Sequence, residues 1–206
     1  MSGWYVSQLL MEWMPMMTYC FIMAVTPGPN NVMLATTGAN FGYRGAFPLI
    51  LGIQFGLIVQ TLALCAGLAS LFAAYPVLHT LLRFVGTGYL IFLAWKLSRA
   101  AGLPEGAGQA ISFREAVLFQ AFNPKSWIRS LTLASVFMPV HLGLWQAALA
   151  TALLGSVVGA SCNLIWASFG VAIRGILRQA HYRKLFNLVM GATLFVLAVT
   201  LLFSKV

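Results

Sequence analysis

Thr26-Pro27-Gly28-Pro29-Asn30-Asn31 interrupts an apolar run, Met14 to Leu34, that would otherwise read as one ordinary membrane helix. Two prolines and a glycine cannot continue it: each proline removes a backbone N–H and clashes with the preceding turn. In hydrocarbon such a break is tolerated only where it packs against protein or lines a polar cavity. Pro29 suits the first position of a new half-helix, with Thr26 or Gly28 as the cap before it. A half-helix that begins at membrane depth turns unpaired N–H groups and a partial positive charge inward, which favours an anion. A kink that serves packing alone is the other reading of the same residues.

The rest of the chain supplies the membrane. Of 206 residues, 61% are hydrophobic and 7% charged, and the mean hydropathy is +0.90. Too few polar residues remain to cover a soluble domain of this size. The net charge of +9 comes from twelve Lys and Arg set mostly at loop positions, not gathered in one basic arm. They therefore report topology and not a nucleic-acid partner. Met1 to Leu10 has no basic residue, so a cleavable signal peptide is not expected. Cys20, Cys65 and Cys162 fall inside apolar stretches, with neither a disulfide framework nor metal-ligand spacing. No metal or cofactor is expected.

Six spans can be drawn, at about 16–40 (with the break inside it), 47–73, 77–97, 113–137, 142–170 and 185–203. A polar connector, 98–112, with Arg99, Pro104 and Glu105 is the only linker-like segment. The expected fold is an all-α integral membrane domain covering 1–206, with halves of about 1–100 and 113–206. Three spans on each side of the connector make the second half inverted relative to the first. Gly52 and Gly56 then match Gly155 and Gly159, and Gly88 and Phe92 match Gly191 and Phe195 at the same offset. Arg44, Lys96, Arg99, Arg114, Arg174, Arg178, Arg183 and Lys184 follow odd-numbered spans, against Arg83 and Lys205 on the other side. The positive-inside rule places both termini outside the cytoplasm.

The fourth span is also broken, at Gln120-Ala121-Phe122-Asn123-Pro124-Lys125-Ser126-Trp127. Asn123 is a good helix cap and Pro124 a good first residue. Paired interruptions in corresponding spans are the sequence signature of a transporter's central site. The candidate substrate-binding residues are Pro27, Gly28, Pro29, Asn30, Asn31, Asn123, Pro124, Lys125 and Arg129. A cation within a span usually faces a polar cavity or a partner, although Lys125 in a later-starting span would snorkel to the surface. Arg129 lies one turn further along the same face, as ligand contact or as a contact within the bundle. Asn30 and Asn31 suit a substrate's ammonium or carboxylate, or the carbonyls freed by Pro27 and Pro29. Gln54, Gln60 and Asn163 read first as links between helices. His79, His141 and His181 fall in loops and suggest no catalytic pair. The three acids, Glu12, Glu105 and Glu115, lie outside the spans, so Lys125 is the titrating group expected inside.

At these residues the chain resembles the LysE/RhtB family of bacterial amino-acid exporters. The likeness rests on Thr26-Pro27-Gly28-Pro29-Asn30-Asn31, on Gly42-Tyr43-Arg44-Gly45 followed by Gly52 and Gly56, on Gly88-Tyr89-Leu90 with Trp95-Lys96, and on Asn123-Pro124-Lys125. It covers essentially the whole length, and the asparagine pair after Pro29 looks most like the branch of cysteine and O-acetylserine exporters. Many relatives have Asp where this chain has Asn30, and Arg129 is not part of the family motif. The resemblance implies proton-driven efflux of a small amino acid or derivative across a bacterial inner membrane. A channel, which would show conductance without counterflow, and an intramembrane enzyme, for which no Ser/His or Asp/Asp pair is present, are the alternatives.

Overall fold

Both proline breaks end one helix and begin another. The computed structural model describes residues 2–75, 77–100 and 109–203, and every regular element among them is helical. Helix α1 (Ser2–Val25) stops at the first break and α2 (Pro29–Ala63) starts beyond it. A π-turn (Leu64–Leu68) leads into the short α3 (Ala69–Ala74), then α4 (Val77–Ala100). Past the connector, of which residues 101–108 lie outside the described residues, come α5 (Phe113–Phe122) and α6 (Pro124–Val136), parted by the second break. Helices α7 (Leu144–Leu177) and α8 (Ala180–Phe203) complete the chain.

The caps follow the local chemistry. Gly28 is the N-cap of α2 and Pro29 its first residue, whereas Thr26 turns back and donates its hydroxyl to Ile22 O at 2.6 Å, closing α1. Asn123 caps α6, its Oδ1 accepting from Lys125 N at 3.2 Å, and Pro124 follows at the first position. Ser112 and Glu115 form a reciprocal capping box at the start of α5. At about 1.5 Å per residue, α5 with 10 residues and α6 with 13 each reach roughly half of a ~30 Å hydrocarbon layer.

Several boundaries depart from the sequence reading. Helix α1 begins at Ser2 and not near Met16, because Leu9, Leu10, Met11 and Trp13 carry the apolar pattern past Pro15. No loop separates the first two expected spans. Gly42 alone leaves the helical region, at φ 67° and ψ −167°, and redirects the chain in one residue, which a Cβ-bearing residue would do under strain. Helix α7 runs on past Gly170 through Val171, Ala172 and Ile173, so that Arg174 sits in its last turn, where a cation meets the negative end of the helix dipole. His181, expected in a loop, lies in the first turn of α8.

Helix α2 packs along α7, α4 along α8, α5 against α2, and α1 against α7. The first of these seams is made of backbone: a Cβ on Gly38 would collide with Ala167 O, and one on Gly170 with Ala35 O. The larger core draws Leu34, Leu49, Ile53, Leu90, Phe119, Ala167 and Leu194 from five helices, and a second cluster joins Met16 and Cys20 of α1 to Leu133 of α6.

Polarity is arranged inside out. Phe47, Leu51, Phe55 and Val59, four residues apart, form an exposed apolar stripe along α2, while Gln54, Gln60 and Thr61 of the same helix are buried. Asn123, Arg129, Thr151 and Asn163 are buried as well. A soluble protein would expose these and hide the stripe; lipid as solvent requires the reverse. Among the described residues three helical stretches, Pro29–Leu71, Leu144–Leu177 and Ala180–Thr200, are long and apolar enough to cross a membrane, and Trp13–Val25 and Thr80–Trp95 are shorter apolar helices. The protein is an all-α, multi-pass membrane protein.

Candidate functional site

The two breaks lie side by side and bind each other. At each break the third residue of the new half-helix folds back to satisfy carbonyls of the preceding one. Asn31 Nδ2 donates to Ala24 O and Thr26 O, both at 3.0 Å, and Ser126 Oγ donates to Asn123 O at 2.6 Å and Gln120 O at 3.0 Å. The second residue instead crosses to the opposite break. Asn30 exchanges amide hydrogen bonds with Gln120, donating at 3.3 Å and accepting at 3.0 Å, and also accepts from Asn123 Nδ2 at 3.2 Å. Lys125 Nζ donates to Thr26 O at 2.6 Å and to Pro27 O at 3.4 Å. Gln60 Nε2 reinforces the second break by donating to Gln120 O at 2.7 Å.

Gly28 is extended, a conformation any residue adopts, so space and not φ demands glycine there. A Cβ would sit 3.0 Å from Lys125 Nζ and 3.1 Å from its Cδ. A Cβ there would push the lysine stem aside by a few tenths of an ångström.

Between the breaks and α7 lies a partly open cavity, with about 440 Å³ of empty space counting the solvent at its mouth. Gly28, Pro29, Asn30, Asn31, Asn123, Lys125 and Arg129 line it, as the sequence suggests. Pro27 and Pro124 do not: Pro27 contributes a carbonyl to Lys125, and Pro124 packs toward Gly86 of α4. Gln54 and Asn163, read as links between helices, are links and lining residues at once. With its amide turned to suit its neighbours, Gln54 donates to Ser156 O at 3.1 Å and accepts from Asn163 Nδ2 at 2.8 Å. Sequence reasoning missed Met23, Leu57, Gly159 and the bridging Gln120. The offset that pairs Gly56 with Gly159 was a usable signal for the glycine; the others look like ordinary helix residues.

Arg129 is only 5% exposed. Its Nη2 donates to Gly155 O at 2.7 Å and approaches Cys20 Sγ at 3.7 Å, while Nε is buried without a partner. No carboxylate is among the lining residues, and no described carboxylate pairs with this guanidinium. A buried cation in that state has a strong appetite for an anion. Two cations, five side-chain amides and two half-helix N-termini thus face one small cavity, an arrangement suited to carboxylates and polar groups around them.

Residues 21–205 match the LysE type translocator family. The chain belongs to that family. It is a transporter and not an enzyme. Among curated proteins it is 29% identical over 188 residues to cysteine/O-acetylserine efflux proteins of Salmonella typhimurium and Escherichia coli K12, covering 90% of this chain and 95% of each relative. The same protein of Salmonella choleraesuis gives the same identity and coverage. No solved structure matches the chain.

Proposed function

We propose that this LysE-family transporter exports a small zwitterionic amino acid or derivative, of the cysteine and O-acetylserine class named for its relatives, from a bacterial cytoplasm. The observation that carries the reading is the acid-free cavity between the two breaks, with buried Arg129 lacking an anion beside Lys125. A substrate carboxylate supplies that anion, and the amides of Asn30, Asn31, Gln54 and Asn163 accommodate the rest of a compact molecule. Export is coupled to the proton-motive force, with Lys125 the titratable group within the cavity.

The chain forms one domain of six crossings in two inverted halves, both termini periplasmic. Support comes from the equivalence of the breaks. Pro29 and Pro124 open their half-helices, Asn31 and Ser126 fold back, and Asn30 and Lys125 cross. The helix pairs agree, since α5 packs on α2 as α1 packs on α7. Rocking of one half against the other opens the cavity to alternate sides, with the crossed hydrogen bonds exchanged in each cycle.

Proteoliposomes loaded with isotope-labelled amino acids, with a pH gradient imposed in either direction, test this. Counterflow of L-cysteine or O-acetyl-L-serine that follows the gradient is the expected result. Conductance without counterflow would make the protein a channel; absence of movement for every amino acid would overturn the substrate class.

A further inference from the structure

The break ends α1 on carbonyls that no continuing helix answers. Pro27 and Pro29 have no N–H to give, and the aligned peptide dipoles leave partial negative charge at this terminus. Asn31 takes Ala24 O and Thr26 O. The ammonium of Lys125, which arrives from the other break over the bare backbone of Gly28, shares Thr26 O with Asn31 and also holds Pro27 O. Lys125 is thereby turned onto carbonyls while Arg129, on the same cavity, has no anion. Neither cation is in the arrangement that a bound amino acid would require.

We infer that Thr26 O and Pro27 O form the ammonium subsite for the transported molecule, and that Lys125 is a tethered stand-in holding it until the substrate's own ammonium takes its place. This rests on the amino-acid export reading above and adds which atoms read the amine. The chemistry of the exchange balances. One ammonium leaves the carbonyls as another arrives, so the charge at the end of α1 is unchanged. The substrate's carboxylate meets Arg129 and the released Lys125, bringing one negative charge to two positive ones. The lysine tie between the breaks opens in the same event, because the substrate's ammonium takes the two carbonyls that held Lys125. Binding therefore loosens α1 from α6. The ligand class is a molecule with a primary ammonium beside a carboxylate; keto acids and quaternary amines lack the N–H donors that the carbonyls read, and N-acyl amino acids lack the positive charge.

The test is competition against counterflow of labelled L-cysteine by wild-type protein in proteoliposomes, under reducing conditions. 3-Mercaptopropionate keeps the carboxylate and thiol and lacks the amine; it should compete at least about tenfold more weakly than L-cysteine, the loss expected for a charged hydrogen bond. Cysteamine keeps the amine and lacks the carboxylate. It should compete poorly against wild type, where Lys125 guards the carbonyls. In detergent-purified Lys125→Met the guard is gone, so labelled cysteamine should bind about tenfold more tightly than to wild type, while L-cysteine binds more weakly. Unchanged cysteamine binding in a folded Lys125→Met protein would overturn the inference. Should that variant not fold, the wild-type comparison decides alone: 3-mercaptopropionate competing as well as L-cysteine would refute the subsite while leaving amino-acid export standing. Failure of wild type to exchange any amino acid would sink both.

Discussion

Replacing Arg129 with methionine separates a binding residue from a structural one. In the folded protein Arg129 gains one charged hydrogen bond, Nη2 to Gly155 O at 2.7 Å, and leaves Nε buried without a partner. The first contributes about 1.5–3 kcal/mol and the second costs about 1–3 kcal/mol, so the two nearly cancel. Methionine fills similar length with flexible apolar volume, and Gly155 O keeps its place in the α7 helix. Net stability should move by no more than about 2 kcal/mol in either direction, which for a chain of this size is less than about 8 °C in melting temperature. Substrate binding should fall much further. Losing one partner of a desolvated charge pair costs about 2–5 kcal/mol, or roughly 30- to 5,000-fold in affinity. The assay is thermal melting in detergent with and without L-cysteine, followed by counterflow. Wild type should gain stability from the ligand, and Arg129→Met should melt near the apo wild type, gain nothing and not transport. A variant that keeps its ligand-induced shift, or one that loses more than about 15 °C without ligand, would refute the reasoning.

Alkaline phosphatase fused after Tyr75 or Val140 should be active and after Gly102 or Arg178 inactive; the reverse pattern would invert the proposed orientation. Pro27→Ala with Pro29→Ala restores N–H groups, heals the first break and closes the carbonyl end of α1, so the protein should insert normally and not transport, as read by membrane abundance and counterflow. Gly170→Ala drives a Cβ against Ala35 O and should cost about 1–3 kcal/mol or more in a melting assay. Gly88→Ala, with nothing within 4 Å of the added carbon, should leave stability unchanged or slightly raised.

Much of this architecture is legible in the sequence because proline and glycine act locally. Pro29 and Pro124 determine where half-helices begin whatever surrounds them, and Asn123 is recognisable as a cap. The boundaries were less legible. Gly42 turns the chain without a polar loop, so neither composition nor periodicity marks the corner. The site residues were legible as types and not as partners. Lys125 stands out as a charge among apolar residues, but its placement on Thr26 O depends on the packing of breaks about a hundred positions apart in sequence. Gln120 was quoted with the second break but given no role, because a glutamine in a helix carries no signal until its neighbour across the break is known. That Asn31 is an internal cap as well as a lining residue shows only when its amide is seen against Ala24 O and Thr26 O.

The seam at Gly38–Ala167 and Gly170–Ala35 has a mechanical consequence. Two helices in backbone contact have no side chains between them to change rotamer, so sliding one past the other would begin with a collision. Through that stretch α2 and α7 resist sliding, so the rocking of the two halves would pivot there. Helices α1 and α6 are suspended differently, α1 at its end from an amide and an ammonium, α6 at its start from an asparagine and a serine. Such ties can be handed over one at a time, each to the next acceptor, without leaving a bare polar group behind. The stiffness of the protein and its freedom to move are thus divided between different helices, and the cavity lies where the two meet.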